Sequence, residues 1–120
     1  MGSKILIVDD SSFMRITLKD ILQKAGFEVV GEANDSKTAI ERFKEVRPDL
    51  VTMDIVMPGE DGVKTLKEIM SLNPQARVLM VSALGQEALI VDAMGAGARG
   101  YITKPFKPEN VVKEVQKSLQ

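Results

Sequence analysis

Several side chains that can take part in chemistry stand directly after short apolar runs of this sequence. They are three carboxylates, a hydroxyl and an amine: Asp9, Asp10, Asp54, Ser82 and Lys104. A short apolar run bounded by turn residues is typical of a buried strand. If these runs are parallel strands of one sheet, their carboxyl ends lie at one edge, where ligands bind in such sheets. We therefore expect the five side chains to form one site.

Three neighbouring carboxylates repel one another, and some would stay protonated unless a cation shares them. Because the sequence has no His and no Cys, its hard oxygen ligands favour Mg²⁺, with Mn²⁺ as a possible replacement. Mg²⁺ is usually held by one or two carboxylates together with water and a phosphate, so the site indicates a phosphoryl group. Lys104 would neutralise its oxygens, Ser82 would donate a hydrogen bond, and a carboxylate remains as the nucleophile.

Each of these side chains also has an ordinary structural explanation. Asp9 and Asp10 could cap the helix that follows them, and Asp54 could belong to a turn. Ser82 could cap another helix, and Lys104 could be a solvated charge. Ordinary roles for all five, at the ends of different strands, would be a coincidence. The same edge could instead bind a nucleotide, but no Gly-rich phosphate loop follows the first strand.

The spacing of apolar residues predicts five strands that alternate with five helices. Strands are expected near residues 4–8, 27–30, 50–54, 77–82 and 100–103, and the last helix is expected to start at Pro108. This alternation, with short connections, predicts an α/β protein whose parallel sheet is sandwiched between helices. A chain of 120 residues suits one core, so we expect a single domain over residues 1–120.

The bulk composition argues against several classes of function. Sixteen Lys and Arg against seventeen Asp and Glu give a formal charge of −1, which does not suggest nucleic acid or a membrane surface as a partner. The lack of Cys and His excludes disulfides and catalysis by thiolate or imidazole. No apolar run is long enough to span a bilayer, and the first residues lack the layout of a signal peptide. We therefore expect a cytoplasmic protein.

With these residues placed, the whole chain resembles a response-regulator receiver domain, and within that family the single-domain chemotaxis type. The motifs that carry the resemblance are IVDD at 7–10, MDIVMP at 53–58, DG at 61–62, SA at 82–83 and KPF at 104–106. Residues 12–15 and 50–54 favour the chemotaxis type. The resemblance implies a flavodoxin-like (βα)5 fold, a three-layer sandwich whose parallel sheet has the strand order 2-1-3-4-5.

The resemblance also implies a role for each matching residue. Asp54 would accept a phosphoryl group from a His-kinase. Asp10 and Asp54 would bind Mg²⁺ directly, and Asp9 would help through water. The main-chain carbonyl of Val56 would complete the protein's metal ligands, and Lys104 would contact the phosphoryl group.

Ser82 and Tyr101 correspond to the family's switch pair, in which the hydroxyl moves toward the phosphoryl group and the ring turns inward. The switch would change the surface of the fourth helix, fifth strand and fifth helix, which would bind a flagellar-motor switch-type protein or another output protein. The apolar fourth helix, near residues 86–96, is either broadly buried or carries an exposed apolar patch for that partner. We expect a monomer.

Val56 and Leu84 occupy the two positions that tune the phosphoryl lifetime in this family. Both are apolar and cannot orient water, so we expect slow self-dephosphorylation and no enzymatic turnover. Two alternatives stay open. One is a receiver cut from a longer regulator, such as a transcription factor or a methylesterase. The other is an Mg²⁺-dependent phosphatase of the haloacid-dehalogenase type, although such enzymes usually have a second Asp where this chain has Val56.

Overall fold

The computed structural model describes residues 2–120 and has five parallel strands in one sheet with helices on both faces. We number the strands of this sheet β1 to β5. They are β1 (Lys4–Val8), β2 (Glu28–Ala33), β3 (Leu50–Asp54), β4 (Val78–Ser82) and β5 (Gly100–Thr103). The helices are α1 (Ser12–Lys24), α2 (Ser36–Val46), α3 (Gly62–Leu72), α4 (Glu87–Gly95) and α5 (Pro108–Ser118). A short antiparallel hairpin, Val56–Met57 with Glu60–Asp61, joins β3 to α3.

The strand order in the sheet is β2-β1-β3-β4-β5, which confirms the predicted flavodoxin-like topology. Every neighbouring pair is parallel, with Val8 opposite Met53 and Asp54 opposite Val81. The strand order reverses beside β1, where the chain first adds β2 on one side and then β3 on the other. A crevice for a ligand forms at such a reversal, outside the carboxyl ends of the strands.

The core has two halves, one on each face of the sheet. Helices α2, α3 and α4 cover one face, where Phe43, Leu66 and Met53 belong to one buried cluster. Helices α1 and α5 cover the other face, where Leu22 and Val115 belong to the same buried cluster. The central strand β3 is buried over its whole length because both faces are covered. This burial holds the end of β3, and therefore Asp54, in a fixed place.

The predicted strand boundaries agree with the structure to within one residue except at the end of β2. The sequence pattern ends this strand at residue 30, but β2 continues to Ala33 because its backbone pairs with residues 6–8 of β1. The extension includes Gly31, which is a poor strand former, so pairing with β1 overrides local propensity here. The residue that caps α1 is Ser11, whose Oγ accepts a hydrogen bond from the Met14 N–H at 3.3 Å.

Among the helices of residues 2–120, none combines the length and the apolar character needed to cross a membrane. All five strands described here share one sheet. The expectation of a single domain over residues 1–120 stays a prediction.

Candidate functional site

Three carboxylates meet at the carboxyl ends of β1 and β3. One oxygen from each of Asp9, Asp10 and Asp54 lies within 4.8 Å of the other two. The side chains of Asp9 and Asp54 are buried, whereas Asp10 is exposed, so the cluster opens to solvent on one side. The two strands are neighbours with Val8 opposite Met53, which explains why the residues that follow them lie side by side.

Asp54 is the carboxylate in the middle of the sheet, and only 5% of its surface is exposed. The N–H of Val56 donates to its Oδ1 at 3.3 Å. Burial, and then the negative charge of Asp9, raise the pKa of Asp54 to about 6 against the opposing effects of Lys104 and the Val56 N–H. Without a further cation, Asp54 therefore carries its charge at an energetic cost.

Lys104 reaches the carboxylates from β5, across the intervening strand β4. Its Nζ lies 3.3 Å from Asp9 Oδ2 and 3.3 Å from Asp54 Oδ2. Burial alone would lower the pKa of Lys104, but the charges of Asp54 and Asp9 outweigh burial and raise it. Lys104 therefore stays a charged ammonium, and its single positive charge is shared between the carboxylates of Asp9 and Asp54.

The donor set fits a hard divalent cation. Asp9 Oδ1 accepts a hydrogen bond from the Ser11 N–H at 2.9 Å. Asp9 Oδ2 is buried and, within residues 2–120, has no hydrogen-bond partner, although it forms the ion pair with Lys104. A buried oxygen of this kind is available as a ligand. Carboxylate oxygens that outnumber the local positive charge are what Mg²⁺ and Mn²⁺ bind in proteins.

The comparisons with known proteins agree with this geometry. Residues 5–116 match the family model described as the response regulator receiver domain. The chemotaxis protein CheY of Bacillus subtilis is 52% identical over 119 residues, which cover 99% of each chain. CheY of Thermotoga maritima is 50% identical over 117 residues, which cover 98% of each chain. This chain belongs to the response-regulator receiver family.

A solved structure agrees with this assignment. A chain in the crystal structure of the CheX–CheY–BeF3–Mg²⁺ complex from Borrelia burgdorferi has a TM-score of 0.92 and 38% sequence identity to this receiver. The match covers 98% of this receiver and 90% of that chain. The receiver is therefore similar in sequence to these two CheY proteins over nearly their whole length, and it shares its fold with a chain of that complex.

Ser82 lies at the end of β4 in this receiver and is buried. Its Oγ donates to the main-chain carbonyl of Ile102 at 3.4 Å, and not to the carboxylate of Asp54. Tyr101 lies on the neighbouring strand β5, opposite Met80, and is 46% exposed. The structure thus brings Lys104 to the acidic cluster but leaves the Ser82 hydroxyl bonded to β5. The switch roles of Ser82 and Tyr101 stay predictions.

The fourth helix is not broadly buried, because two of its apolar side chains are exposed; its role as a surface for a partner stays a prediction. Val91 is 70% exposed and Met94 is also exposed, while Leu89 and Ile90 pack against the core. A groove of about 740 Å³ lies next to Met94 and Tyr101 and runs along β5 and α5. The receiver therefore presents apolar side chains and a groove on the same side.

Val56 and Leu84 are exposed apolar residues on the loops that leave β3 and β4, and Leu84 is 85% exposed. The Val56 N–H contacts Asp54, as described above, and its carbonyl belongs to the same loop. Neither side chain offers a polar atom to water. Their effect on the phosphoryl lifetime stays a prediction.

Arg15 was not identified from the sequence. Its Nη1 donates to the main-chain carbonyl of Asp9 at 2.7 Å, and its Nε donates to Glu32 on β2 at 3.1 Å. The guanidinium therefore braces the backbone at the first carboxylate. No local signal marks this role, because it depends on β2 lying beside β1.

Gly62 was predicted only as part of a turn. A Cβ at this position would collide with the main-chain oxygens of Asp54 and Ile55, so the chain passes too close to the end of β3 for any side chain. The DG motif was the available signal. Asp61 in the same motif accepts a hydrogen bond from the Val63 N–H at 2.9 Å and caps α3.

Proposed function

We propose that this receiver takes a phosphoryl group from a His-kinase onto Asp54 and passes the signal to an output protein in chemotaxis or motility control. The observation that carries the proposal is the position of Asp54, a buried carboxylate that lies beside two other carboxylates and 3.3 Å from the Lys104 ammonium. The sequence similarity to two CheY proteins over nearly their whole length supports a role in chemotaxis.

Asp10 and Asp54 would hold Mg²⁺ directly, Asp9 would hold it through water, and the Val56 carbonyl would complete the protein's ligands. Mn²⁺ could replace Mg²⁺. The ion, when bound, neutralises the carboxylates and polarises the phosphoryl oxygens. The buried Asp9 Oδ2, which has no hydrogen-bond partner within residues 2–120, supports the presence of a cation or of water bound to a cation at this cluster.

The remaining chemistry belongs to the side chains. A carboxylate oxygen of Asp54 attacks phosphorus while the bond from phosphorus to the kinase histidine breaks. Lys104 stays charged and offers its ammonium to the transferred oxygens. The Ser82 hydroxyl leaves the Ile102 carbonyl for one of these oxygens, because a charged acceptor forms the stronger hydrogen bond.

Phosphorylation then changes the surface formed by α4, β5 and α5, which binds the output protein. The Ser82 hydroxyl then no longer bonds to β5, while the main-chain bond from the Lys104 N–H to the Ser82 carbonyl at 2.8 Å keeps the two strands paired, and the Tyr101 ring turns inward. The exposed apolar side chains on α4 and the neighbouring groove form the surface for a flagellar-motor switch-type protein or another output protein. Polar substitutions on this surface would weaken binding of the output protein without affecting phosphorylation of Asp54.

The proposal includes a cytoplasmic monomer that consists of one domain and acts as a switch without enzymatic turnover. The apolar Val56 and Leu84 support slow self-dephosphorylation, because neither can orient an attacking water. Val56 also stands where a haloacid-dehalogenase-type phosphatase would have its second Asp, so the sequence supports a receiver rather than that class.

The test is incubation with a small phosphodonor and Mg²⁺, followed by intact-protein mass measurement. We expect the mass to rise by one phosphoryl group in the wild type and in the control Asp20→Asn, whose carboxylate pairs with Lys24 on the exposed side of α1. Asp54→Ala should gain no mass. Equal uptake by Asp54→Ala, or repeated turnover of a phosphate ester by the wild type, would contradict the proposal.

A further inference from the structure

The loop between β3 and α3 is tied to α2 by a carboxylate that lies outside the acidic cluster. Glu60 Oε2 accepts a hydrogen bond from the Ser36 N–H at 2.7 Å and another from the Ser36 Oγ at 3.0 Å. Ser36 is the first residue of α2, where backbone N–H groups have no partner within the helix. A carboxylate at this end is also favoured by the helix dipole.

A buried hydroxyl extends this link into α3. The Ser36 Oγ lies 2.5 Å from Thr65 Oγ1, and Thr65 is buried. The Asp61 carbonyl lies 3.3 Å from Thr65 Oγ1 as a second acceptor. Each hydroxyl has one proton, and the carboxylate is the strongest acceptor, so Ser36 donates to Glu60 and Thr65 donates to Ser36. The three side chains form one chain of hydrogen bonds between α2, the hairpin and α3.

The hairpin that Glu60 anchors is also the segment that carries Val56. Glu60 lies opposite Met57 in the hairpin, and Val56 lies opposite Asp61. Met57 is buried, so it anchors in the core the hairpin strand that also contains Val56. The main chain of Val56 is therefore held between the core contact of Met57 and the link from Glu60 to α2.

The support on the other side is a helix that is anchored in the core. Helix α2 packs into the core through Ala39 and Phe43, both buried. Its first turn is held by Asp35, whose carboxylate accepts from the Thr38 N–H at 2.7 Å. The charge-assisted hydrogen bonds from Ser36 to Glu60 therefore hold the hairpin in a fixed position relative to α2. Loss of the carboxylate would release the hairpin from α2 while leaving the sheet unchanged.

We infer that Glu60 is a positioning residue, which acts through Ser36 and the hairpin to fix the Val56 carbonyl and thereby sets the affinity of the site for Mg²⁺. This inference rests on the proposed function, since it assumes that the Val56 carbonyl is a metal ligand. Glu60 does not need to contact the ion. Residues that orient a ligand from behind commonly change metal affinity when they are substituted.

The experiment compares Glu60→Ala and Glu60→Gln with the wild type, and uses Glu45→Gln as the matched control. Glu45 pairs with Arg42 on the exposed side of α2, away from the hairpin. Calorimetric titration with Mg²⁺ should show about tenfold weaker binding for Glu60→Ala, a smaller loss for Glu60→Gln and no change for the control. Ser36→Ala in the Glu60→Ala background should add little, because both substitutions break the same link.

Two further measurements separate positioning from a purely structural role. In the presence of a chelator, amide hydrogen exchange of the peptide covering 55–63 should be faster in Glu60→Ala, while peptides from β1 exchange as in the wild type. With a small phosphodonor, Glu60→Ala should need more Mg²⁺ for half-maximal phosphorylation but should reach the wild-type rate at saturation. A lowered melting temperature with unchanged Mg²⁺ affinity would overturn the inference alone. A wild-type protein that binds no Mg²⁺ would overturn the proposed function and this inference together.

Discussion

Lys104 Nζ lies 3.3 Å from Asp54 Oδ2, although the two residues are 50 positions apart in the sequence. Asp54 ends the central strand, and Lys104 follows the edge strand β5, so the ammonium must extend past β4 to make this contact. The ion pair neutralises the charge of Asp54 only in part, because Asp9 contacts the same ammonium at 3.3 Å. This imbalance underlies the first three predictions.

Asp54→Asn is expected to stabilise the protein in the absence of metal at neutral pH. The folded-state pKa of Asp54, about 6, lies above its ordinary value of 3.8. The folded state therefore binds the proton more tightly, and the contribution of this group to stability is lost as the pH rises from 3.8 through 6. The amide of Asp54→Asn carries no charge, so the free energy of unfolding at pH 7.5 should rise by about 1–2 kcal/mol. This figure includes a reduction for the water that reaches the open side of the site.

Urea unfolding of wild type and Asp54→Asn with a chelator, at pH 7.5 and at pH 4, would measure this difference. The two proteins should differ less at pH 4, because Asp54 is then largely protonated in the folded state. Asp20→Asn serves as the exposed control. An Asp54→Asn protein that is less stable than the wild type at pH 7.5 would refute the prediction.

Mg²⁺ is expected to stabilise the wild type against urea, because it binds a site that the unfolded chain lacks. At a free concentration of about 100 times its dissociation constant the gain should be about 2.7 kcal/mol. Asp10→Asn should lose most of this gain while keeping its stability in chelator, since Asp10 is exposed. Potassium chloride at matched ionic strength is the control. An equal gain with potassium chloride would show that the effect is ionic strength and not a site.

Lys104→Gln is expected to separate metal binding from phosphorylation. The ammonium and the metal ion neutralise the same carboxylates, so its removal should tighten Mg²⁺ binding. Phosphorylation by a small phosphodonor should nevertheless slow by about 100-fold or more, because the transferred oxygens lose their positive contact. Calorimetry and the rate of mass increase give the two quantities. Lys24→Gln, at the exposed end of α1, is the control. If Lys104→Gln lowered both the Mg²⁺ affinity and the phosphorylation rate, Lys104 would have only a structural role.

Polar residues at the two lifetime positions are expected to shorten the life of the phosphorylated protein. Val56→Asn and Leu84→Glu each place a polar group on an exposed loop beside the site, where it can orient an attacking water. We expect decay to be about tenfold faster for each. Decay is followed by the loss of one phosphoryl group from the intact mass after the phosphodonor is removed. Val91→Asn, on α4, controls for added surface polarity, and unchanged decay in both test variants would exclude this explanation of the slow rate.

The sequence alone determined the order of strands and helices and the residues of the acidic site. Apolar runs that end in Asp9, Asp54 and Ser82 are visible without any structure, and parallel strands bring their carboxyl ends to one edge for geometric reasons. The IVDD, MDIVMP and KPF motifs then identified the family. These inferences succeed because they depend only on local pattern and on the shared direction of the strands.

Other features were decided only by the tertiary structure. The contact of Arg15 with the Asp9 carbonyl, the link from Glu60 to Ser36 and the Ser82 hydrogen bond to Ile102 each join elements that are separate in the sequence. The exposure of Val91 on α4 depends on how that helix rests on the core. Periodicity reports which residues are apolar, but hydrogen-bond partners and burial depend on distances of a few ångströms between packed elements, and only the folded chain sets those distances.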